Sequence, residues 1–368
     1  MKIGIDAYEA NVPMRVGSGK YAFHLLSELY RLDNHNQYTL FLPEAPLNDL
    51  PPARSGWTYV VSSAGGLWTI RKLPALINKH KLDLFFSPTH YLPWFVSLPK
   101  IMSIMDVSYL HYPKMFRIKD LFQLKYMGKY SISRATKILT ISEYSKREIV
   151  KHYGFPQKNI EVTYPGIGVN QNSQTEIKDN VVHKILKSMG ITDPYILFVG
   201  TIQPRKNIVR LIEAFDKLEE ERLLVIVGKK GWLYEPIIES MRKAKKKDKI
   251  LFLDYVKDDD LEILYRNASC FVLPSLYEGF GIPVVEAMSY GCPVVISNVT
   301  SLPEIGGSAA IYINPTDSVD LARGISEALQ LKGIERNKLL KLGIEQAAKF
   351  SWENCATKTM KVFDSLKT

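Results

Sequence analysis

Cysteine is scarce in this chain: Cys270, Cys292 and Cys355 are the only three in 368 residues. They show no metal-ligand spacing, and Cys270 and Cys292 sit in apolar, strand-like runs. That excludes a disulfide framework and a cysteine zinc site, and leaves buried free thiols in a reducing cytoplasm as the expectation. Long hydrophobic runs are absent too. No apolar stretch reaches the ~20 residues that span a bilayer, so no membrane crossing is expected. Met1-Lys2-Ile3-Gly4-Ile5-Asp6 opens straight into a strand pattern, without a signal-peptide pattern. There is no repeat at solenoid periods and no low-complexity tract. Helix-turn-helix, zinc and aromatic-basic RNA signatures are missing, which ranks nucleic acid last among partners. A dinucleotide fingerprint is also missing. After the first strand pattern stands Ile5-Asp6-Ala7-Tyr8-Glu9-Ala10, with no G-x-G-x-x-G.

What the chain does have is positive charge, unevenly placed. The formal net charge is +10. Residues 1–170 carry 21 Lys+Arg against 12 Asp+Glu, so nearly all the surplus lies in the first half. Within it, Lys114 to Lys137 interleaves Lys114, Arg117, Lys119, Lys125, Lys129, Arg134 and Lys137 with Phe116, Leu121, Phe122, Leu124, Tyr126 and Met127. Such a basic, aromatic amphipathic stretch suits an anionic membrane surface; it equally suits a surface helix whose apolar face is core. On the first reading, peripheral attachment at the inner face of the cell membrane follows.

Length favours two domains. Short β-branched runs alternate with helical patterns throughout, the mark of stacked βαβ units and an α/β fold. Strands are predicted near 2–6, 38–42, 57–61, 83–86, 100–104 and 137–141. A second set lies near 194–199, 223–227, 250–253, 270–273, 293–296 and 310–313. Gly168 to Asp179 is polar and aperiodic, and reads as a linker. The pattern predicts two Rossmann-like domains, 1–170 and 171–350, with ligands at the carboxyl ends of the strands in the crevice between them. A last helix, 351–368, starts at Ser351.

The densest chemistry lies in Glu278-Gly279-Phe280-Gly281-Ile282-Pro283-Val284-Val285-Glu286-Ala287, preceded by the apolar strand Ser269 to Leu273. Strand, glycine loop and helix follow in order. Gly279 and Gly281 leave room for backbone N–H groups to meet a phosphate at a helix N-terminus. Glu278 on the loop and Glu286 a turn into the helix bracket that cradle, which suits a sugar joined to a nucleotide diphosphate. Upstream, Tyr195 to Gly200 is a buried strand leading to Arg205 and Lys206, which can neutralise a diphosphate without a metal. Asn207 is expected to cap the helix that follows. Asp258-Asp259-Asp260 opens an amphipathic helix, where acids are favourable on their own account, and no further ligand cluster supports Mg²⁺ or Mn²⁺ there. No metal and no cofactor are expected.

These residues resemble the E-x7-E motif of retaining GT-B glycosyltransferases, family 4. Pro293 to Asn298, Ser301 to Ile305 and Gly200-Thr201-Ile202-Gln203-Pro204-Arg205-Lys206-Asn207 extend the resemblance over nearly the whole chain. It implies a donor in the C-terminal domain and an acceptor in the N-terminal one. Attack would come on the face the leaving group departs from, and the last helix would cross back onto the N-terminal domain. Catalytic roles fall on Glu278, Arg205, Lys206 and Asp106. Donor contacts fall on Gly17, Gly19, Arg205, Lys206, Asp254, Tyr255, Val256, Glu278, Gly279, Phe280, Gly281, Ile282 and Glu286. Gly17-Ser18-Gly19 matches the family's glycine-rich first loop. Where relatives carry His-Asp, this chain has Met105 and Asp106, and His90 and His111 flank that region. Related enzymes commonly carry Gly at Asp254. A carboxylate there either accepts the edge N–H groups of guanine or is simply solvated, and the first option puts GDP-mannose ahead of UDP-sugars. The expected function is hexose transfer, mannose before glucose, to a glycan or lipid-linked acceptor in surface polysaccharide or glycolipid synthesis. The alternatives are a GT-B epimerase or sugar phosphorylase, or a silent carbohydrate-binding relative.

Overall fold

The computed structural model describes residues 1–62, 68–168 and 178–367. The chain divides into two compact units. One comprises Met1–His111, Ile118–Gly168 and Ser351–Thr368; the other comprises Tyr112–Arg117 and Val169–Phe350. Most of the linker expected at Gly168 to Asp179 lies outside the described residues, and Asp179 is already the first residue of a helix.

The first unit holds a seven-stranded parallel sheet in the order β3-β2-β1-β4-β5-β6-β7. Its strands are β1 Lys2–Asp6, β2 Gln37–Leu42, β3 Trp57–Val61, β4 Leu84–Ser87, β5 Lys100–Ile104, β6 Lys137–Thr140 and β7 Ile160–Val162. The second unit holds a six-stranded parallel sheet in the order β10-β9-β8-β11-β12-β13. These are β8 Tyr195–Val199, β9 Leu223–Val227, β10 Ile250–Leu253, β11 Cys270–Leu273, β12 Val294–Ser297 and β13 Ala310–Ile313. Every predicted strand is present, with ends moved by a residue at most. Strand β7 was not anticipated: three residues with Glu161 exposed at the centre carry too little apolar signal.

Strands covered by helices on both faces read as continuous apolar runs, and β4, β5, β8, β9, β11 and β12 are buried at every position. All three cysteines are free and buried in this packing. In each sheet the strand order reverses once, between β1 and β4 and between β8 and β11. At such a reversal the loops leaving two neighbouring strands diverge, and their carboxyl ends leave a crevice.

The last helix, Trp352–Asp364, belongs to the first unit, as expected. Ser351 caps it by accepting from the Asn354 N–H at 3.1 Å. Trp352 stacks on His24 and meets Tyr21 edge-on, and Phe363 packs edge-on against Phe86. Gly166 is required beside it, because a Cβ there would lie 2.1 Å from the Trp352 nitrogen.

Candidate active site

Arg205 and Lys206 follow β8, and Glu278 follows β11. The two strands are hydrogen-bonded neighbours, so their carboxyl ends lie side by side at the reversal of the second sheet. There the three side chains form one cluster. The Lys206 ammonium donates to Glu278 Oε1 at 2.6 Å, and Arg205 donates to Glu278 Oε2 at 3.0 Å. Arg205 also donates to the Tyr277 carbonyl, and the Ser275 hydroxyl to Glu278 Oε1 at 2.7 Å. Glu278 is only 5% exposed. Burial alone would push its carboxyl up; Lys206 and Arg205 outweigh that and, with hydrogen bonds from Lys206 and Ser275, hold it at about 2. Two cations against one carboxylate leave one formal positive charge in the cluster. Both Glu278 carboxylate oxygens are engaged within the cluster.

The loop beyond Glu278 is pinned from one side. Ser301 Oγ donates to the carbonyls of Glu278 and Phe280 at 3.0 Å each, and the Glu278 N–H donates to Thr300. Phe280 is buried against Phe350. Gly281 has φ +109°, and a Cβ there would lie 2.8 Å from Leu302 Cδ2, so only glycine fits. The helix Ile282–Ser289 then begins, with Pro283 in its first turn. Glu286 is half-buried and accepts from the Tyr265 hydroxyl at 2.9 Å. Tyr265 comes from the helix Asp258–Asn267, whose first turn holds the acidic triplet, as expected.

One expectation is corrected. Asn207 does not cap the helix Ile208–Phe215 with its side chain. Its backbone is left-handed, at φ 60°, which turns the amide away from the helix. Nδ2 instead donates to the Pro274 and Pro315 carbonyls at 2.9 and 2.7 Å, tying three loops together. Asp254 and Tyr255 are exposed after β10, with Lys229 Nζ 4.6 Å from the Tyr255 ring centroid, and Val256 is half-buried.

Gly17, Gly19 and Asp106 belong to the first unit. Gly17 precedes the helix Ser18–Leu32 with φ +49°, and a Cβ at Gly19 would approach the Glu9 carbonyl to 3.0 Å. Asp106 Oδ1 accepts from the Ser108 N–H at 2.8 Å, a turn-capping contact. Of the two flanking histidines, His90 feels Asp106: burial lowers its imidazole pKa and the carboxylate opposes. His111 instead contacts Glu148. Sequence reasoning missed Ser275 and Tyr265, although Ser275 stands only three residues before Glu278. It also missed Gln203, buried in the Arg205 loop with an Oε1 that accepts no hydrogen bond, and Asp6, a buried acid closing β1 whose carboxyl burial pushes up to about 6.

Residues 183–346 match the model of the glycosyl transferases group 1, and residues 17–171 that of glycosyltransferase family 4. Over its full length the chain is 31% identical to the full length of O-antigen chain mannosyltransferase B from Escherichia coli. The chain belongs to glycosyltransferase family 4. Sucrose-phosphate synthase from Thermosynechococcus elongatus superposes on this transferase with a TM-score of 0.78, at 18% identity, over 99% of this chain and 98% of that one. Anabaena HepE, in complex with UDP and glucose, does so at 0.76 and 16% identity over 99% of both chains. The transferase has the GT-B fold, and the Arg205–Glu278–Lys206 cluster lies at the β8–β11 reversal of its second sheet.

Proposed function

We propose that this transferase is a retaining, metal-independent mannosyltransferase. It takes mannose from GDP-mannose and passes it to a glycan or lipid-linked acceptor in surface-polysaccharide synthesis. The second unit holds the donor, and the first, which includes the last helix, holds the acceptor. The observation that carries the reading is the buried Arg205–Glu278–Lys206 cluster at the sheet reversal. Full-length similarity to an O-antigen mannosyltransferase supports mannose and the acceptor class. Exposed Asp254 beside β10 supports guanine as the base, though the HepE neighbour carries UDP.

In this reading, Arg205 and Lys206 donate to the diphosphate, whose charge grows as the bond from the sugar C1 to phosphate oxygen breaks. Glu278 holds hydroxyls of the transferred sugar, and Glu286 holds the ribose. The acceptor oxygen bonds to C1 on the face the phosphate leaves, and its proton passes to the departing phosphate oxygen. No helix among the described residues is long and apolar enough to cross a membrane. The helix Ile118–Arg134 supports peripheral attachment instead. Ile118, Phe122 and Tyr126 lie one turn apart and are 88%, 63% and 63% exposed, flanked by exposed Lys119, Lys125 and Lys129.

The test is product analysis by mass spectrometry and NMR, with GDP-mannose and UDP-sugars offered beside glycan and lipid-linked acceptors, with and without EDTA. An α-mannoside formed from the α-linked donor in EDTA is expected. Transfer only from a UDP-sugar refutes the base and sugar, an inverted anomer refutes retention, and activity lost to EDTA and restored by Mn²⁺ refutes metal independence.

A further inference from the structure

Away from the donor residues, one group of side chains is arranged as metal ligands. His111 closes the short helix Ser108–His111, the last residue of the first unit before the chain enters Tyr112–Arg117. Glu148 and His152 lie one turn apart on the helix Glu143–Tyr153 and so share a face. Both imidazoles present Nε2 to the same oxygen, Glu148 Oε2. His111 touches it closely, and His152 lies 3.2 Å away. One ligand atom from each of the three residues lies within 4.8 Å of the others. The rings stand at 89° to each other, with centroids 5.1 Å apart. Glu148 is buried, while the side chains of His111 and His152 keep 28% and 29% of their exposure.

We infer that His111, Glu148 and His152 bind a zinc ion. Two imidazole nitrogens and one carboxylate are a borderline-soft set, suited to Zn²⁺ and unsuited to Mg²⁺ or Ca²⁺, which take oxygen ligands. Tetrahedral zinc with bonds of about 2.0–2.2 Å holds its ligand atoms roughly 3.3 Å apart. The His152–Glu148 separation already has that value, and the remaining adjustment is within the swing of a side chain. The partly exposed histidine face leaves the fourth position to water. Lys151 Nζ lies 3.9 Å from Glu148 Oε1; its side chain is 66% exposed and can swing into solvent. The metal would tie the end of the Ser108–His111 helix to the Glu143–Tyr153 helix. The ion supports structure and takes no part in sugar transfer.

Tag-free protein is stripped with a chelator, dialysed, and titrated with zinc chloride alone. Bound metal is counted by mass spectrometry, and the melting temperature is followed. The wild type should hold about one equivalent and melt higher as zinc is added. His152→Ala and His111→Gln should weaken zinc binding at least tenfold, abolish the shift, and leave nucleoside diphosphate binding intact. Glu148→Gln separates a metal site from a mere hydrogen-bonded trio: it keeps an acceptor for both imidazoles but loses the anionic ligand, so zinc binding should fall. Cobalt(II) should give visible absorption bands in the wild type and none in His152→Ala. A wild type that retains no zinc, or variants that retain it equally, overturns the inference.

Discussion

Replacing Glu278 by Gln tests whether the cluster is held together by charge. The substitution is nearly isosteric, but it removes the carboxylate that Arg205 and Lys206 both contact, at 15% and 10% side-chain exposure. The Glu278 carboxyl is brought from 4.5 to about 2 in the folded chain. At ~1.36 kcal/mol per pH unit, that corresponds to about 3 kcal/mol of stability at neutral pH. Orphaning one side of a buried ion pair costs about 3–5 kcal/mol, the same scale. For a unit of this size, 3 kcal/mol lowers the melting temperature by roughly 6–12 °C. Because the folded pKa is depressed, the stabilisation is complete above pH 4.5 and is lost as pH falls toward about 2. Calorimetry should therefore show a wide gap between wild type and Glu278→Gln at pH 7 and a narrower one at pH 3. On the proposed donor assignment, nucleoside diphosphate replaces the missing charge. It should raise the melting temperature of the variant more than that of the wild type, while kcat for transfer falls far more than donor KM rises. A variant that melts within about a degree of wild type at pH 7 refutes the charge argument. A stable cluster with unchanged kcat refutes the catalytic role and leaves the structural one.

Arg205→Ala and Lys206→Ala should each weaken nucleoside diphosphate binding by roughly 1.5–3 kcal/mol in calorimetry, the scale of a charge-assisted hydrogen bond, and unchanged affinity in both rules out the diphosphate assignment. Glu286→Gln should chiefly raise donor KM, and Tyr265→Phe, which removes the hydroxyl held at 2.9 Å, should move KM in the same direction by about tenfold or less; an effect confined to kcat counts against a ribose contact. Asp254→Gly should abolish any preference for GDP over UDP in binding; a wild type that prefers UDP ends the guanine reading. In flotation with anionic vesicles, the protein should bind at low salt and detach at high salt, and Phe122→Ser with Tyr126→Ser should weaken the attachment; absence of binding at low salt reduces the Ile118–Arg134 stripe to ordinary surface.

Much of the fold was legible because buried parallel strands are short, apolar and β-branched, and their alternation with helical patterns leaves few architectures. Tyr195–Val199 and Leu223–Val227 carry that signal at every position. The same logic failed at Ile160–Val162, where tertiary pairing with β6 makes a strand of three residues that no local pattern marks. The candidate site was legible as separate motifs, since Arg205-Lys206 and Glu278 to Glu286 each follow a strand. Their union was not, because Arg205 and Glu278 are 73 residues apart and meet only through the pairing of β8 with β11. That pairing brought two cations expected to face a diphosphate and a loop carboxylate into one buried cluster. Backbone conformation decided the role of Asn207, which a left-handed φ diverts from capping to bridging loops. Packing also decided the fates of the two histidines near Met105: His90 lies within the influence of Asp106, and His111 is drawn to Glu148. Sequence alone determined which residue types stand at the strand ends. Only the three-dimensional order of the strands decided which of those ends face one another, because a sheet's neighbours are set by long-range hydrogen bonding and burial rather than by distance along the chain.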